Sequence, residues 1–142
     1  MPTWIPEPNL TRLFVYGTLR TGEPNHRLLE GAEHVGPART EARFRMVDLG
    51  AYPAIVADGA TSIEGELYDV DDSLLAQLDR FEGHPRFYAR SAVAIEGGAD
   101  AQAYLLRAAQ VVGRPLIPSG SWRDRASGRS TRRSRPPRGR AG

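Results

Sequence analysis

The sequence predicts an α+β fold, and three observations carry that expectation. An apolar run at residues 13–16 stops abruptly at Gly17. Several further short extended stretches are punctuated by glycine and proline. One segment, from Asp71 to Phe81, places its leucines at helical spacing. Many short strands with a single clear helix is the α+β pattern.

Taken in order, residues 1–11 carry Pro2, Pro6 and Pro8 and read as an irregular lead-in. Residues 13–16, Leu-Phe-Val-Tyr, read as a strand buried on both faces. Pro24 and Asn25 open a short helix through Leu28 and Leu29, closed by Gly31. Residues 35–49 hold extended segments, in which Arg43, Arg45 and Val47 alternate with Phe44, Met46 and Asp48. Residues 50–53 form a turn and 54–57 a short apolar strand. Asp58-Gly59 is a hairpin-type turn signal. Residues 62–70 are extended again, with Ile63, Gly65 and Leu67 on one face and Glu64, Glu66 and Tyr68 on the other.

Asp71 or Asp72 caps the helix. Leu74, Leu75, Leu78 and Phe81 line one face of it, and Gly83 and Pro85 end it. Residues 87–95 alternate as a strand, Gly97-Gly98 turns the chain, and 102–106 make a last strand. Residues 107–123 wrap back over the sheet, with Trp122 packing inward. From residue 126 the chain holds Arg, Ser, Pro and Gly with no large apolar side chain, and is expected to stay disordered. The expected organisation is therefore a lead-in at 1–11, one domain at 12–125 and a tail at 126–142.

Composition narrows the function. A chain of 142 residues, 40% hydrophobic, suits one core. No run is long enough to span a membrane, and the first residues lack a signal-peptide pattern. The absence of cysteine excludes a thiol nucleophile and a disulfide framework, and fits a reducing cytoplasm. All 19 basic residues are arginines. Six of them lie beyond Arg125, so the body holds 13 against 17 acids, a net of −4. A nucleic-acid-binding fold would show a basic body, so neither nucleic acid nor membrane is expected as a partner. The arginine tail alone keeps that contact open as a third alternative.

Glu82 ends the amphipathic helix, near the edge of its apolar face. The negative end of the helix dipole disfavours a carboxylate there, which raises its pKa and suits it to accept and return a proton. A solvated glutamate beside a glycine cap is the competing reading. Tyr16, Gly17, Thr18 and Leu19 follow the buried strand. Gly17 permits close backbone approach, and the amides after it can donate to a carboxylate or oxyanion. Tyr16 reads equally as a core aromatic. Tyr88 and Arg90 share a strand face, from which Tyr88 could hold Glu82 and Arg90 could attract an acidic substrate. A cross-strand aromatic and a surface charge are the alternative. His26, His34 and His84 have no metal-ligand spacing, so no metal is expected. No dinucleotide or phosphate-loop fingerprint occurs, and no nucleophile elbow frames a serine.

The Tyr16-Gly17-Thr18-Leu19 turn and the segment from Leu78 to Arg90 together resemble the gamma-glutamylcyclotransferase-like family. Residues 24–27, Pro-Asn-His-Arg, and 64–68, Glu-Gly-Glu-Leu-Tyr, are similar to its gamma-glutamylamine cyclotransferase branch. The resemblance covers about residues 12–123. It implies a small barrel-like mixed sheet with flanking helices and a cofactor-free cyclisation. In that reaction the substrate's α-amine attacks its own γ-carbonyl, releasing 5-oxoproline and an amine. It also implies Glu82 as general acid and base, with Tyr16, Gly17, Thr18, Leu19, Tyr88 and Arg90 around the substrate. Relatives often carry an acid between the glycine and tryptophan of a C-terminal Gly-x-Trp, where this chain has Ser121. Two alternatives stay open: removal of a γ-glutamyl cap from an antibiotic-type intermediate, and a non-catalytic carboxylate-binding module.

Overall fold

The computed structural model of the protein describes residues 9–124. Most of the expected lead-in, and all of the expected tail, lie outside the described residues. The elements are β1 (Leu10–Val15), β2 (Glu33–Arg39), β3 (Phe44–Asp48), β4 (Pro53–Thr61), β5 (Glu64–Asp71), α1 (Asp72–Glu82), β6 (Ala89–Ala94) and β7 (Asp100–Leu105). Short 3-10 turns occupy His26–Leu29, Ala108–Gln110 and Trp122–Asp124. No helix among the described residues is long and apolar enough to cross a membrane.

Five strands form one mixed sheet in the order β2-β5-β1-β7-β6, and β3 and β4 form a separate hairpin. Every neighbouring pair is antiparallel except β1 and β7, which run parallel through Leu13 and Gln102. The protein is thus α+β, and its large sheet curls without closing into a barrel. Among the described residues the two edge strands meet at one corner. There the Glu41 N–H donates to the Ala94 carbonyl and the Glu96 N–H to the Arg39 carbonyl, at 2.9 and 2.8 Å.

The central strand is buried on both faces, as its unbroken apolar run predicts. Leu13 and Val15 point into one core with Tyr68, Val70, Leu75 and Leu78. Phe14 and Tyr16 point into the other, with Met46, Ile55, Ile63, Leu67 and Trp122. Strand β5 alternates as expected, Leu67 to one side and Tyr68 to the other. Gly65 is required there by packing: a Cβ would lie 2.3 Å from the Val15 carbonyl oxygen and 2.6 Å from the Phe14 ring.

The helix is capped at both ends as the sequence predicts. The Asp71 carboxylate accepts the Leu74 N–H at 2.8 Å. Gly83 closes the C-terminus in the left-handed region, φ 74°. Strand β6 begins later than alternation suggests. The N–H groups of Phe87 and Tyr88 are used on the carbonyls of Gly83 and Glu82, which keeps both residues in the turn.

Asp58-Gly59 is not a turn. Strand β4 runs straight through it, and pairing with β3 steps from Arg45–Val56 to Phe44–Thr61, leaving a wide bulge. The Gly59 N–H donates to the Arg43 carbonyl, and Asp58 pairs with Arg45 at 2.7 Å. A Cβ on Gly59 would fall 2.3 Å from the Phe44 carbonyl oxygen. Close backbone approach, rather than chain reversal, explains this glycine. The reversal sits before Pro53, where the Leu49 N–H donates to the Tyr52 carbonyl. Residues 115–117 then add to the free edge of β3 through Asp48 N–H to Pro115 O and Ile117 N–H to Met46 O.

Gly59→Ala and Gly65→Ala are each expected to lower the unfolding free energy by about 1–3 kcal/mol, the usual cost of overpacking. Urea denaturation of each variant checks this.

Candidate active site

Strands β1 and β7 are parallel, so their C-terminal ends lie together. Helix α1 leaves the end of β5 and packs back along β5 and β1, so that its last residue comes to the same end of the sheet. Three chain segments therefore converge: the turn after β1, the end of β7 and the C-terminus of α1.

The turn after β1 comprises Tyr16, Gly17, Thr18 and Leu19, all buried. The carbonyls of Gly17, Thr18 and Leu19 are already occupied. The Arg20 N–H donates to Gly17 O at 3.1 Å, the Asn25 N–H to Thr18 O at 2.9 Å, and the His26 ring nitrogen Nδ1 bonds Leu19 O at 2.9 Å. Asn25 Nδ2 also donates to Thr18 Oγ1 at 2.9 Å. The 3-10 turn that starts at His26 thus serves as a backing for this segment.

The Tyr16 hydroxyl is spent on the fold. It donates to the Tyr104 carbonyl at 2.6 Å and accepts the Ile55 N–H at 3.3 Å. Burial, then the nearby charge of Glu82, raises its pKa well above the usual phenol value. Tyr104 is raised in the same direction by burial and by Asp79, with Glu82 contributing again. Glu82 therefore lies within electrostatic reach of both tyrosines, at the Tyr16 end of the turn.

Glu82 itself is fully buried. Sequence reading placed it at the edge of the helix face; the structure sinks it beneath the surface, because the chain after Gly83 folds back over the helix end. Tyr88, also fully buried, is part of that fold-back. Its N–H donates to the Glu82 carbonyl at 3.2 Å and its hydroxyl to the Pro53 carbonyl at 2.6 Å.

Arg90 is engaged by the protein. Its guanidinium grips Asp79 in a two-pronged pair at 2.8 and 2.9 Å and also bonds Gln102. The Tyr104 hydroxyl donates to the same Asp79 carboxylate at 2.6 Å. Asp79 sits three residues, one helical turn, before Glu82. Burial pushes the Asp79 carboxyl up, but the hydrogen bonds of Arg90 and Tyr104 and the charges of Arg90 and His84 outweigh it, leaving the pKa below the ordinary carboxylate range. Asp79 and Tyr104 were not singled out from sequence. The signal was present: Asp79 lies on the helix one turn before Glu82, and Tyr104 follows Gln102 and Arg90's partner face by alternation.

A second charged group backs the turn from the other side. Arg20 and Glu66 are buried, and Glu64 and Arg123 join them. Ser121, where relatives often carry an acid, is buried beside Glu64 and helps hold that carboxyl below its ordinary range. Among the described residues no cluster of three or more His, Asp or Glu is placed to hold a metal ion.

Residues 13–124 match the family described as gamma-glutamyl cyclotransferase, AIG2-like. The chain belongs to that family of enzymes. A putative gamma-glutamylcyclotransferase of Vibrio cholerae is 41% identical over 110 residues, 78% of this chain and 93% of that one. The gamma-glutamylaminecyclotransferase of Homo sapiens is 36% identical over 96 residues, 59% of this chain and 61% of that one. The crystal structure of an AIG2-like protein from Mus musculus superposes with a TM-score of 0.69 at 28% identity, covering 78% of this chain and 87% of that one.

The Asp79 pair gives a pH prediction. A carboxyl held below its ordinary pKa stabilises the fold above that ordinary value, and the contribution disappears as pH falls through the lowered one. Wild type should therefore lose stability more steeply than Asp79→Asn below about pH 4. Melting temperatures of both proteins across the acid range provide the check.

Proposed function

We propose that this enzyme cyclises γ-glutamyl amines, releasing 5-oxoproline and a free amine, with Glu82 as the proton carrier. The observation that carries the reading is the full burial of Glu82 at the end of the turn formed by residues 16–19. A carboxylate in the interior, one helical turn from a second, ion-paired carboxylate, is an expensive arrangement for packing alone.

The chemistry is intramolecular. The substrate's α-amine forms a bond to its own γ-carbonyl carbon, and the bond from that carbon to the leaving nitrogen breaks. Holding the glutamyl chain folded supplies much of the rate, since nothing has to be brought together from solution. Attack requires a neutral amine, so a base removes a proton from the ammonium. Departure requires a protonated leaving nitrogen, so an acid returns one. Burial disfavours the charged form of a carboxylate, which suits Glu82 to do both in turn. Amides of Gly17, Thr18 and Leu19 are the proposed donors to the substrate carboxylate or the developing oxyanion. The turn's carbonyls already have partners, which supports the rigidity this role needs. Tyr88 walls the site beside Glu82. Arg90 acts by fixing Asp79 and Tyr104 around the helix end and so keeps its place among the site residues. No step calls for a cofactor. The family and the human relative support the substrate class, a small γ-glutamyl compound.

Glu82→Gln, which preserves shape, should lower the rate of 5-oxoproline formation from a γ-glutamylamine mixture by about a hundredfold or more while keeping the fold. Near-normal turnover by a folded Glu82→Gln protein would sink the role given to Glu82.

A further inference from the structure

A glutamate in mid-strand, between two core residues, asks for a reason. Glu66 lies on β5 opposite Val15 of β1 and Pro37 of β2, and is 6% exposed. Burying an ion is costly unless partners surround it. The partners that Glu66 collects all bear on one place, the exit of the turn after β1.

Its Oε1 accepts the Thr21 N–H at 3.0 Å, the Thr21 hydroxyl at 3.1 Å and the Tyr68 hydroxyl at 3.0 Å. Its Oε2 lies 3.5 Å from Arg20 Nε and 3.9 Å from Arg123 Nη2. Arg123 in turn bonds the Thr21 carbonyl and pairs with Glu23 at 3.4 Å. Arg20 is the residue immediately after Leu19. Its buried guanidinium has Nε and Nη1 without a hydrogen-bond acceptor, so its charge is balanced mainly by Glu66 and by Glu64 at 3.4 Å. Burial pushes the Glu66 carboxyl up, but the Thr21 and Tyr68 bonds and the Arg20 charge hold it below the ordinary range. Glu66 is therefore a fixed anion.

We propose that Glu66 is a positioning residue for the substrate turn: it clamps the exit at Arg20 and Thr21 to β5, while the β1 ladder clamps the entrance, and so presents the amides of residues 17–19 in one geometry. The proposal rests on the reading of residues 16–19 as the substrate turn. It makes Glu66 act through the backbone, with no contact to the reacting atoms.

The physical consequence is local. Removing Glu66 releases one backbone amide and one hydroxyl at the turn exit and leaves Arg20 with half its countercharge. The β1–β5 ladder keeps its own bonds. The turn should then open more often than the sheet around it. A site whose donors wander loses affinity and rate together, while the proton carrier keeps its own titration.

The test uses the full-length chain with Glu66→Ala, Glu66→Gln and Thr21→Val. Glutamine keeps an acceptor for the Thr21 N–H without the charge, and Thr21→Val keeps the N–H bond but removes the hydroxyl's contacts with Glu66 and Tyr68. Amide hydrogen exchange of residues 17–25, 5-oxoproline affinity by calorimetry, and the pH profile of kcat are measured on each. In Glu66→Ala, exchange in 17–25 should rise about tenfold or more with β1 and β5 still protected. Affinity and kcat/KM should fall about tenfold, and the pH profile should keep its position. Glu66→Gln should recover most of the protection, and Thr21→Val should fall between. If Glu66→Ala fails to fold, the other two variants decide.

Unchanged exchange in 17–25 overturns the proposal, as does a loosened turn with wild-type affinity and kcat/KM. A Glu66→Gln protein with an undisturbed turn and no turnover would make Glu66 a catalytic group instead. Failure of wild type itself to bind or form 5-oxoproline would sink the functional reading. The exchange measurements would still decide whether Glu66 orders the turn.

Discussion

The hydroxyl of Tyr16 ties three parts of the molecule at one point. It donates to the carbonyl of Tyr104 at the end of β7 and accepts the N–H of Ile55 from β4. The five-stranded sheet and the hairpin share few backbone bonds, among them Leu106 N–H to Ile55 O. A buried phenol with both hydrogen-bonding capacities used is a strong joint, because breaking it strands a carbonyl and an amide away from water. It also sets where the chain turns. Gly17 can only begin the turn at the spot where Tyr16 has been fastened.

From that joint the rest of the site follows. The parallel pairing of β1 with β7 puts two strand ends together, and α1 delivers Glu82 to the same place. With its edges joined at the corner where Glu41 and Glu96 donate to Ala94 and Arg39, the sheet can curl around one core on each face. The chain after Gly83 then covers the helix end and completes the burial of Glu82.

Charge is concentrated in two groups on either side of the turn, one half-buried around Asp79 and Arg90 and one built on the buried Arg20 and Glu66. Asp79, Arg90 and Tyr104 lie toward α1, and Glu66, Arg20 and Thr21 lie toward β2. Each group is neutralised internally, which matters most for Arg20 and Glu66, the ionised side chains that are buried. The aromatic contact of His34 with Tyr68, at 4.9 Å, and of His26 with Tyr68, at 6.0 Å, flanks the second group. A cavity of about 520 Å³ opens beside it, lined in part by Thr21, His26, His34 and Tyr68.

Local chemistry written in neighbouring residues was legible without the structure. The unbroken run Leu13 to Tyr16 reads as a strand buried on both faces. Leu74, Leu75 and Leu78 between Asp71 and Gly83 read as a capped amphipathic helix. The alternation of Leu67 and Tyr68 assigned their faces, and the motifs around Gly17 and Glu82 pointed to the family. Contacts between residues far apart in the chain decided the rest. Asp58-Gly59 has the composition of a turn, yet the nearness of the Phe44 backbone makes it a bulge. Glu82 has the composition of an exposed helix end, yet residues 84–88 bury it. Tyr16 and Arg90 carry groups suited to binding, yet Tyr104, Ile55, Asp79 and Gln102 claim them. Periodicity and caps report only a few residues in each direction, so sequence determines which segments form. Which polar groups remain for chemistry depends on which distant partners packing brings within hydrogen-bond reach, and only the tertiary structure decides that.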